Sequence, residues 1–368
     1  MKVEFTPVTD ALLPACRAFN ERLRRHGEPP FTLAEDAQPG CAPAPGGIAW
    51  TRFAAVDETG AVRGGVVLME QRGWLAGREV PLINVQSPLS EGTVDRKFAG
   101  VGLQMLKFLA GRGEFVYAVG MGSEQNPFAR LLKAAGWRVG LVPFQFSVVR
   151  AGRFLREIGP LQAGNRRLAA RFAAATGLGA AALSGWRAVH WRPGARGYSL
   201  DAAGFKPGEA DRVWHCCREA LSFSAARDAA AVAGLYPEPD ARLRRFVLRR
   251  GGEAVGWSAG LVTPMRENAY FGNLTVGTIL DALAPEELLE ALVARTRDAL
   301  ADLGADLIVL NCTHASWRNA LRRIGFLSGP SNYVLAVSKP LAAALDREPG
   351  GFERAYVTRA DGDGRLNL

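Results

Sequence analysis

The stretch DRKFAGVGLQML, residues Asp95–Leu106, decides the fold that we predict for this 368-residue chain. Gly100 and Gly102 open an apolar pattern with helical spacing, and the basic pair Arg96 and Lys97 stands just before them. The first amides of a helix have no acceptor within the helix, and the helix dipole favours negative charge there. Glycine lets a ligand approach the backbone closely. The stretch therefore predicts a helix start that binds phosphate groups.

The elements around this stretch follow the order β-α-β-β-β-α-β-α-β over residues 1–150. Tight-turn signals such as DETG at residues 57–60 join strand-like runs. The glycine loop follows the fourth strand, whereas a dinucleotide-binding GxGxxG follows the first strand of a βαβ unit. The P-loop pattern GxxxxGK[ST] is absent from the sequence. The chain therefore matches neither of these two nucleotide-binding patterns.

The second half of the sequence repeats this order of elements. The segments QNPFARLLKAAGW and HASWRNALRRIGF both end with glycine followed by an aromatic residue, at Trp137 and at Phe326. The repeat predicts an N-terminal domain over residues 1–150, an Arg-rich connector over 151–200, a second domain over 201–340 and a polar tail over 341–368.

Two motifs of the first half resemble those of a known family. KFAGVG at residues 97–102 resembles the Gln/Arg-x-x-Gly-x-Gly/Ala motif of the GCN5-related N-acetyltransferases (GNAT). The segment 125–137 is similar to that family's Asn-x-x-Ala-x-x-Leu-Tyr-x-x-x-Gly-Phe segment. The layout also resembles uncharacterised tandem GNAT proteins of bacterial polysaccharide and natural-product gene clusters. The resemblance implies an α+β fold with two GNAT-like domains, each a mixed, mostly antiparallel sheet flanked by helices.

The resemblance implies acetyl-CoA or another acyl-CoA as co-substrate, bound where the fourth strand splays from the fifth. The cofactor-binding residues that it implies are Val85, Gln86, Ser87, Arg96, Lys97, Phe98, Ala99, Gly100, Val101, Gly102 and Asn126.

For catalysis, Glu91 and Glu124 are candidate general bases, and Ser123 is a candidate hydrogen-bond donor near the thioester. The family's frequent tyrosine, a proton donor to the leaving thiolate, falls on Leu132 in the first half. The corresponding position of the second half is Leu321.

The equivalent loop of the second half, LTVGTILDALAPEELLEALV, contains no GxG. We expect a strand to end at Val276 and Asp281 to cap the helix that follows. Glu286 and Glu287 occupy the first turn of that helix and would repel a pyrophosphate. A single acyl-CoA site, in the first half, is therefore predicted.

The formal charge of +9 is concentrated in the connector. Residues 151–200 contain eight arginines and one acid, Glu157. This excess favours an anionic partner, such as a nucleotide, a lipid phosphate or tRNA, although a solvated helical connector has the same composition.

The five cysteines and four histidines follow no metal-ligand or disulfide spacing, so we predict no metal and a reducing environment. The start has no signal-peptide pattern, and cytoplasmic localisation is expected. The predicted function is an N-acyltransferase that moves an acyl group, first of all acetyl, from CoA to a primary amine of a small molecule or biosynthetic intermediate. Two alternatives stay open: an aminoacyl-tRNA-dependent transferase or RNA-binding module on a tandem GNAT fold, and a non-catalytic acyl-CoA binder.

Overall fold

A computed structural model describes residues 1–27, 32–33, 35, 47–158, 178–190, 197–202, 204–237 and 242–362. The elements of the first half are β1 (Val3–Pro7), α1 (Leu13–Arg24), β2 (Ala49–Asp57), β3 (Val62–Leu75), β4 (Arg78–Ser90), α2 (Gly100–Ala110), β5 (Val116–Gly120), α3 (Pro127–Ala134), β6 (Arg138–Leu141) and β7 (Phe144–Val148). The connector contributes α4 (Ala151–Glu157) and α5 (Leu178–His190). Its arginines 166, 167, 171, 192 and 196 lie outside the described residues.

The second half repeats the pattern with its own elements. They are β8 (Tyr198–Asp201), α6 (Glu209–Arg218), β9 (Phe223–Ala225), α7 (Ala229–Leu235), β10 (Leu243–Arg250), β11 (Glu253–Pro264), β12 (Thr275–Leu283), α8 (Leu289–Asp302), β13 (Leu307–Asn311), α9 (Ala315–Arg323), β14 (Leu327–Gly329), β15 (Val334–Val337) and α10 (Lys339–Arg347). In the described ranges, no helix has the length and apolar character that crossing a membrane requires.

Two mixed sheets organise these elements. The first has the strand order β1-β2-β3-β4-β5-β15-β6, with β9 added beside β3. The second has the order β14-β7-β13-β12-β11-β10-β8. In each sheet one central pair is parallel, β4 with β5 and β12 with β13, and the other pairs are antiparallel. This confirms the predicted α+β class with two similar units.

The two halves of the chain also contribute strands to each other's sheets. Strand β7, from the first half, lies between β13 and β14 of the second sheet, while β15, from the second half, lies between β5 and β6 of the first. The divisions predicted at residues 150 and 340 therefore do not separate the two sheets. Both strands are short, four or five residues, so local sequence does not specify which sheet pairs with them.

Helices α2 and α3 cover one face of the first sheet. Val85 of β4 and Ala118 of β5 pack there with Met105, Leu109 and Leu132. The opposite face is covered by residues from the end of the chain, including Leu341 and Leu345 of α10 and the segment 355–357.

The predicted polar tail from residue 341 was wrong for the described residues up to 362. Leu341 and Leu345, one helical turn apart, are fully buried on the first sheet. The segment 355–361 is also largely buried, with Tyr356 and Asp361 almost inaccessible to solvent. Composition alone missed this segment because its polar residues are paired inside the protein rather than hydrated.

Candidate functional site

The central parallel strands of the first sheet separate after a short contact. They pair only at Ile83 with Val116, Asn84 with Tyr117 and Val85 with Ala118. Beyond this point β4 continues to Ser90, hydrogen-bonded to β3 alone among its neighbours in the described sheet.

A bulge in β4 marks the point where the two strands part. The register between β3 and β4 shifts between Gly65 and Val67, and Ser87 adopts a positive φ of 47°. Since a bulge bends a strand and increases its twist, β4 turns away from β5. We call the region between the carboxyl ends of the two strands, beyond Val85 and Ala118, the opening.

Helix α2 begins after the loop that follows β4. A 3-10 turn over Arg96–Phe98 leads into Gly100, and Asp95 caps that turn by accepting a hydrogen bond from the Lys97 amide at 2.9 Å. Arg96 and Lys97 are exposed, and the first turn of α2 contains no acidic residue. Apart from the Asp95 cap, the charge at this helix start is positive.

The two glycines of α2 have different roles. A Cβ at Gly102 would lie 3.1 Å from Cδ2 of Leu131, so Gly102 allows α2 to pack closely on α3. A Cβ at Gly100 would meet no atom within 4 Å. Packing therefore does not require a glycine at position 100, and its bare backbone faces open space where an anion can approach the helix start.

The buried side chain of Phe98 anchors the loop between β4 and α2. Its ring is 7% exposed, and the Arg63 guanidinium lies 4.3 Å from the ring centroid. Gly92 packs so closely on this loop that a Cβ there would lie 2.7 Å from the Phe98 carbonyl oxygen. Residues 98–102 are thus fixed in place relative to the end of β4.

Val85, Gln86 and Ser87, the predicted cofactor-binding residues of β4, differ in burial and in contacts. Val85 is buried on the α2–α3 face of the sheet. Gln86 is 9% exposed, and its Nε2 lies 3.5 Å from the Met69 sulfur. Ser87 is half-buried and forms the bulge. All three therefore lie where pairing with β5 stops.

On the other side of the opening, a turn connects β5 to α3. Ser123 and Glu124 are exposed in this turn. Asn126 caps α3, and its side chain accepts a hydrogen bond from the Phe128 amide at 2.8 Å. The structure therefore leaves Ser123 and Glu124 accessible, and gives Asn126 a capping role besides any contact with a ligand.

Glu91 lies in a buried ion-pair network. Its carboxylate accepts hydrogen bonds from Nε of Arg22 at 2.7 Å and from Nη1 of Arg63 at 3.1 Å. Arg63 also bonds to Asp57 at 2.7 Å. Burial alone would raise the pKa of Asp57, but hydrogen bonds from Thr59 and Arg63 hold it below its ordinary value. Because both oxygens of the Glu91 carboxylate are already bonded to arginines and the residue is buried, this geometry disfavours Glu91 as the base.

Leu132 does not line the opening. It is fully buried in the core between α3 and the first sheet, and Leu321 is equally buried in the second half. The tyrosine that the family resemblance places at Leu132 would need space that this core does not have.

A buried polar group on the first sheet was not predicted from the sequence. Gln71 Nε2 donates to the Tyr117 hydroxyl at 2.6 Å, and Asn84 Nδ2 donates to the Asp361 backbone carbonyl at 2.7 Å. Asn84 and Tyr117 are the middle pair of the short β4–β5 contact. The signal in the sequence was a polar residue, Asn84, inside the apolar strand PLINVQSPL.

The corresponding gap of the second sheet is closed by the chain itself. Strand β12 also bulges after Ile279, its last residue paired with β13. The Tyr356 hydroxyl lies 2.8 Å from Oδ1 of Asp281, and Thr358 pairs with Cys312, just after β13. The C-terminal segment thus spans the gap between the two strands.

Asp281 is a buried strand residue rather than the predicted helix cap. Arg227 Nε bonds to Asp281 at 2.5 Å, and its Nη2 bonds to Asp361 at 2.7 Å; all three are almost fully buried. Burial alone would lower the pKa of Arg227, but the two carboxylates raise it well above its ordinary value. The expected strand end near Val276 was also wrong, because β12 continues to Leu283. A buried charge inside a strand is unfavourable unless it is paired. The ion pair with Arg227, which is distant in sequence, compensates the charge of Asp281.

The start of α8 differs from that of α2 as predicted. Glu286 and Glu287 are exposed in the 3-10 turn before α8, and Glu290 lies in its first turn.

Within the described ranges, no three His, Cys, Asp or Glu side chains are grouped as metal ligands would be.

The whole chain is similar in fold to several solved structures. A GCN5-related N-acetyltransferase from Anabaena variabilis aligns with 91% of this chain and 72% of its own, with a TM-score of 0.52 at 9% sequence identity. Both halves of this chain have the GNAT fold. Saccharomyces cerevisiae N-myristoyltransferase with bound myristoyl-CoA aligns with 92% of this chain and 84% of its own, with a TM-score of 0.52 at 10% identity.

A conserved protein of unknown function from Enterococcus faecalis aligns with the tandem GNAT fold over 95% of this chain and 75% of its own, with a TM-score of 0.51 at 9% identity. No family model matches the sequence. No curated protein matches it at a significant level. At these identities the comparisons establish the fold.

Proposed function

We propose that this protein is an acyl-CoA-dependent N-acyltransferase with one active site, between β4 and β5 of the first GNAT unit. The observation that carries the proposal is the end of pairing between these strands at Val85 and Ala118, together with the glycine start of α2, the helix that follows β4. The second unit has the same strand geometry, but its gap is spanned by the segment around Tyr356 and Thr358. The difference between the two units supports a single site.

The residues of the opening fit the parts of an acyl-CoA. The first-turn amides of α2, with the bare backbone at Gly100 and the side chains of Arg96 and Lys97, suit a pyrophosphate. The part of β4 beyond Val85 pairs with β3 but not with β5, and an extended amide-containing arm would lie along it. A bound acyl-CoA supplies an acyl group already activated as a thioester.

Glu124 is the candidate that fits the proton acceptor for the amine, since it is exposed beside the carboxyl end of β5. Glu91 is held by Arg22 and Arg63 and does not fit that role. Ser123 lies next to Glu124 and can donate a hydrogen bond near the reacting carbonyl. Positioning a neutral amine against a thioester provides much of the acceleration that such a transfer needs.

For the finer assignment we propose acetyl as the acyl group and a primary amine on a small molecule as the acceptor. Asn84, Gln86 and Tyr117 are buried polar residues at or next to the point where β4 and β5 part, which suits a short acyl group better than a long hydrocarbon chain.

The test is release of free CoA thiol from acetyl-CoA in the presence of a panel of amino sugars, amino acids and polyamines. We expect amine-dependent release by the wild-type chain and none by Gly100→Asp. Longer acyl-CoAs assayed in parallel determine the acyl preference. Binding of acetyl-CoA without release, whatever the amine, would contradict the enzyme assignment and leave an acyl-CoA binder.

A further inference from the structure

Helices α2 and α3 present basic side chains to solvent next to the proposed active site. The two helices contain three basic residues, Lys107, Arg130 and Lys133, and no acidic residue. All three side chains are exposed, and none of them forms an ion pair with any described residue. The acids that come before the helices in sequence, Asp95 and Glu124, lie in the loop and the turn that precede them. The outer surface of the two helices is therefore positive and attracts negatively charged partners.

An apolar side chain lies among these charges. Leu103 is 54% exposed, and Lys107 follows it one turn later on the same face of α2. The two helices are side by side, because a Cβ at Gly102 would lie 3.1 Å from Cδ2 of Leu131, which is half-buried on α3. An apolar centre with a charged rim is the composition of many protein–protein interfaces.

The positive charge extends well beyond the helix start that we assign to a pyrophosphate. Arg96 and Lys97 stand just before Gly100, whereas Lys107 lies about 10 Å further along α2 at 1.5 Å per residue. The other two bases lie on a separate helix, α3. The basic surface is therefore larger than a pyrophosphate at the start of α2 requires.

We propose that α2 and α3 dock an acidic carrier protein, which delivers the acyl group as a thioester of its own phosphopantetheine arm. This inference rests on the proposed function, since the arm would enter the opening between β4 and β5. The phosphate of the arm would lie at the glycine start of α2, and acidic side chains of the carrier would face Lys107, Arg130 and Lys133.

The transfer from such a carrier balances as it does from CoA. The amine nitrogen forms a bond with the acyl carbon, and the bond between that carbon and the sulfur breaks. The amine loses one proton and the departing sulfur gains one, so the carrier leaves with a free thiol.

Two other anions could be attracted by the same charges. The nucleotide of free CoA has only the charges of its own phosphates, whereas the basic residues are spread over two helices and surround Leu103. A nucleic acid has many phosphates but no thiol arm for the opening. A carrier protein uses the charges, the apolar side chain and the opening together.

The experiment compares three acetyl donors with the wild-type chain and with the double variant Lys107→Glu/Arg130→Glu. The donors are a bacterial fatty-acid acyl carrier protein loaded with acetyl-phosphopantetheine, acetyl-CoA, and acetyl-pantetheine, which has neither nucleotide nor protein. Transfer to the amine panel gives kcat/KM for each donor. Calorimetric titration of the loaded carrier is a second readout, which requires no amine.

We expect the wild type to bind the loaded carrier and to bind it less tightly as salt increases, because salt screens the charges. The double variant should lower the affinity and kcat/KM for the carrier by about tenfold or more, since it places like charges opposite each other. The values for acetyl-CoA and acetyl-pantetheine should change by less than about threefold, because those donors have no acidic protein surface.

Arg78→Glu is the matched control. Arg78 is an exposed base at the other end of β4, far along the strand from the opening, and its variant should bind the carrier as the wild type does. Equal weakening by the control and by the double variant would show that net charge alone, and not this surface, attracts the carrier.

Three further results would overturn the proposal. They are no binding of the loaded carrier by the wild type, equal losses for the carrier and acetyl-CoA in the double variant, and tRNA binding that the double variant abolishes. Transfer from acetyl-CoA without carrier binding would leave the proposed function intact and remove this inference. Carrier binding that the double variant abolishes, without transfer from any donor, would support the docking surface and contradict the proposed function.

Discussion

The backbone carbonyl of Asp361 accepts a hydrogen bond from the side chain of Asn84, at 2.7 Å. This contact joins the C-terminal segment to β4, the strand that forms one side of the opening. The carboxylate of Asp361 at the same time bonds to Arg227 in the second unit. The C-terminal segment therefore connects Arg227 of the second unit directly to β4 of the first.

We predict that Arg227→Met strongly destabilises the protein. The substitution leaves the carboxylates of Asp281 and Asp361 buried without their partner, and breaking a buried pair in this way costs about 3–5 kcal/mol. The measurement is the free energy of unfolding in urea. The control is Arg138→Met, which removes an exposed pair with Asp346 and should change stability little. Equal effects of the two substitutions would show that the buried cluster does not hold the C-terminal segment.

Glu124→Gln should lower the turnover number while leaving the KM for acetyl-CoA nearly unchanged. If Glu124 accepts the proton of the amine, the loss should be roughly 10²–10⁴-fold. A shift of the pH profile toward higher pH should accompany it, because the amine must then lose its proton to solvent. Glu114→Gln, an exposed glutamate at the other end of β5, is the control. Comparable turnover in the two variants would exclude Glu124 as the base.

Leu132→Tyr should destabilise the protein by about 1–3 kcal/mol, as overpacking of a filled core does. The side chain of Leu132 is fully buried, whereas that of the adjacent Lys133 is exposed. Lys133→Tyr should therefore leave the unfolding midpoint nearly unchanged. A stable Leu132→Tyr variant with higher turnover would mean that this position reaches the opening.

The ion-pair network of Asp57, Arg63 and Glu91 should make the free energy of unfolding depend on pH. Hydrogen bonds from Thr59 and Arg63 hold the pKa of Asp57 below its ordinary value in the folded protein. The stabilisation by Asp57 is then fully present above the unfolded pKa of about 4 and decreases as pH falls through the folded pKa. Asp57→Asn should thus be less stable than the wild type at pH 7, and the difference should shrink below about pH 4. A difference that is constant over this range would contradict the assignment.

The sequence was sufficient to predict the strands before the glycine start at Gly100 and the helix that follows it, because periodicity and turn residues act locally. It was not sufficient to predict the strand exchange, since local sequence does not specify the sheet in which β7 and β15 pair. Asp281 was misassigned for a related reason. Close before Pro285 it resembles a helix cap, and only the fold brings Arg227 to its carboxylate. The role of Glu91 was likewise hidden until Arg22 and Arg63 were placed beside it.

Calorimetric titration of acetyl-CoA into the full-length protein and two glycine variants tests the one-site account most directly. Gly100 and Gly152 both lie in the first turn of a helix, and a Cβ at either meets no atom within 4 Å. An aspartate in a first turn favours the helix, so neither Gly100→Asp nor Gly152→Asp should unfold the chain. We expect one binding site per chain, weakened by about tenfold or more in Gly100→Asp, which is at least 1.4 kcal/mol of binding free energy, and unchanged in Gly152→Asp. Two sites per chain, or unweakened binding by Gly100→Asp, would contradict the account.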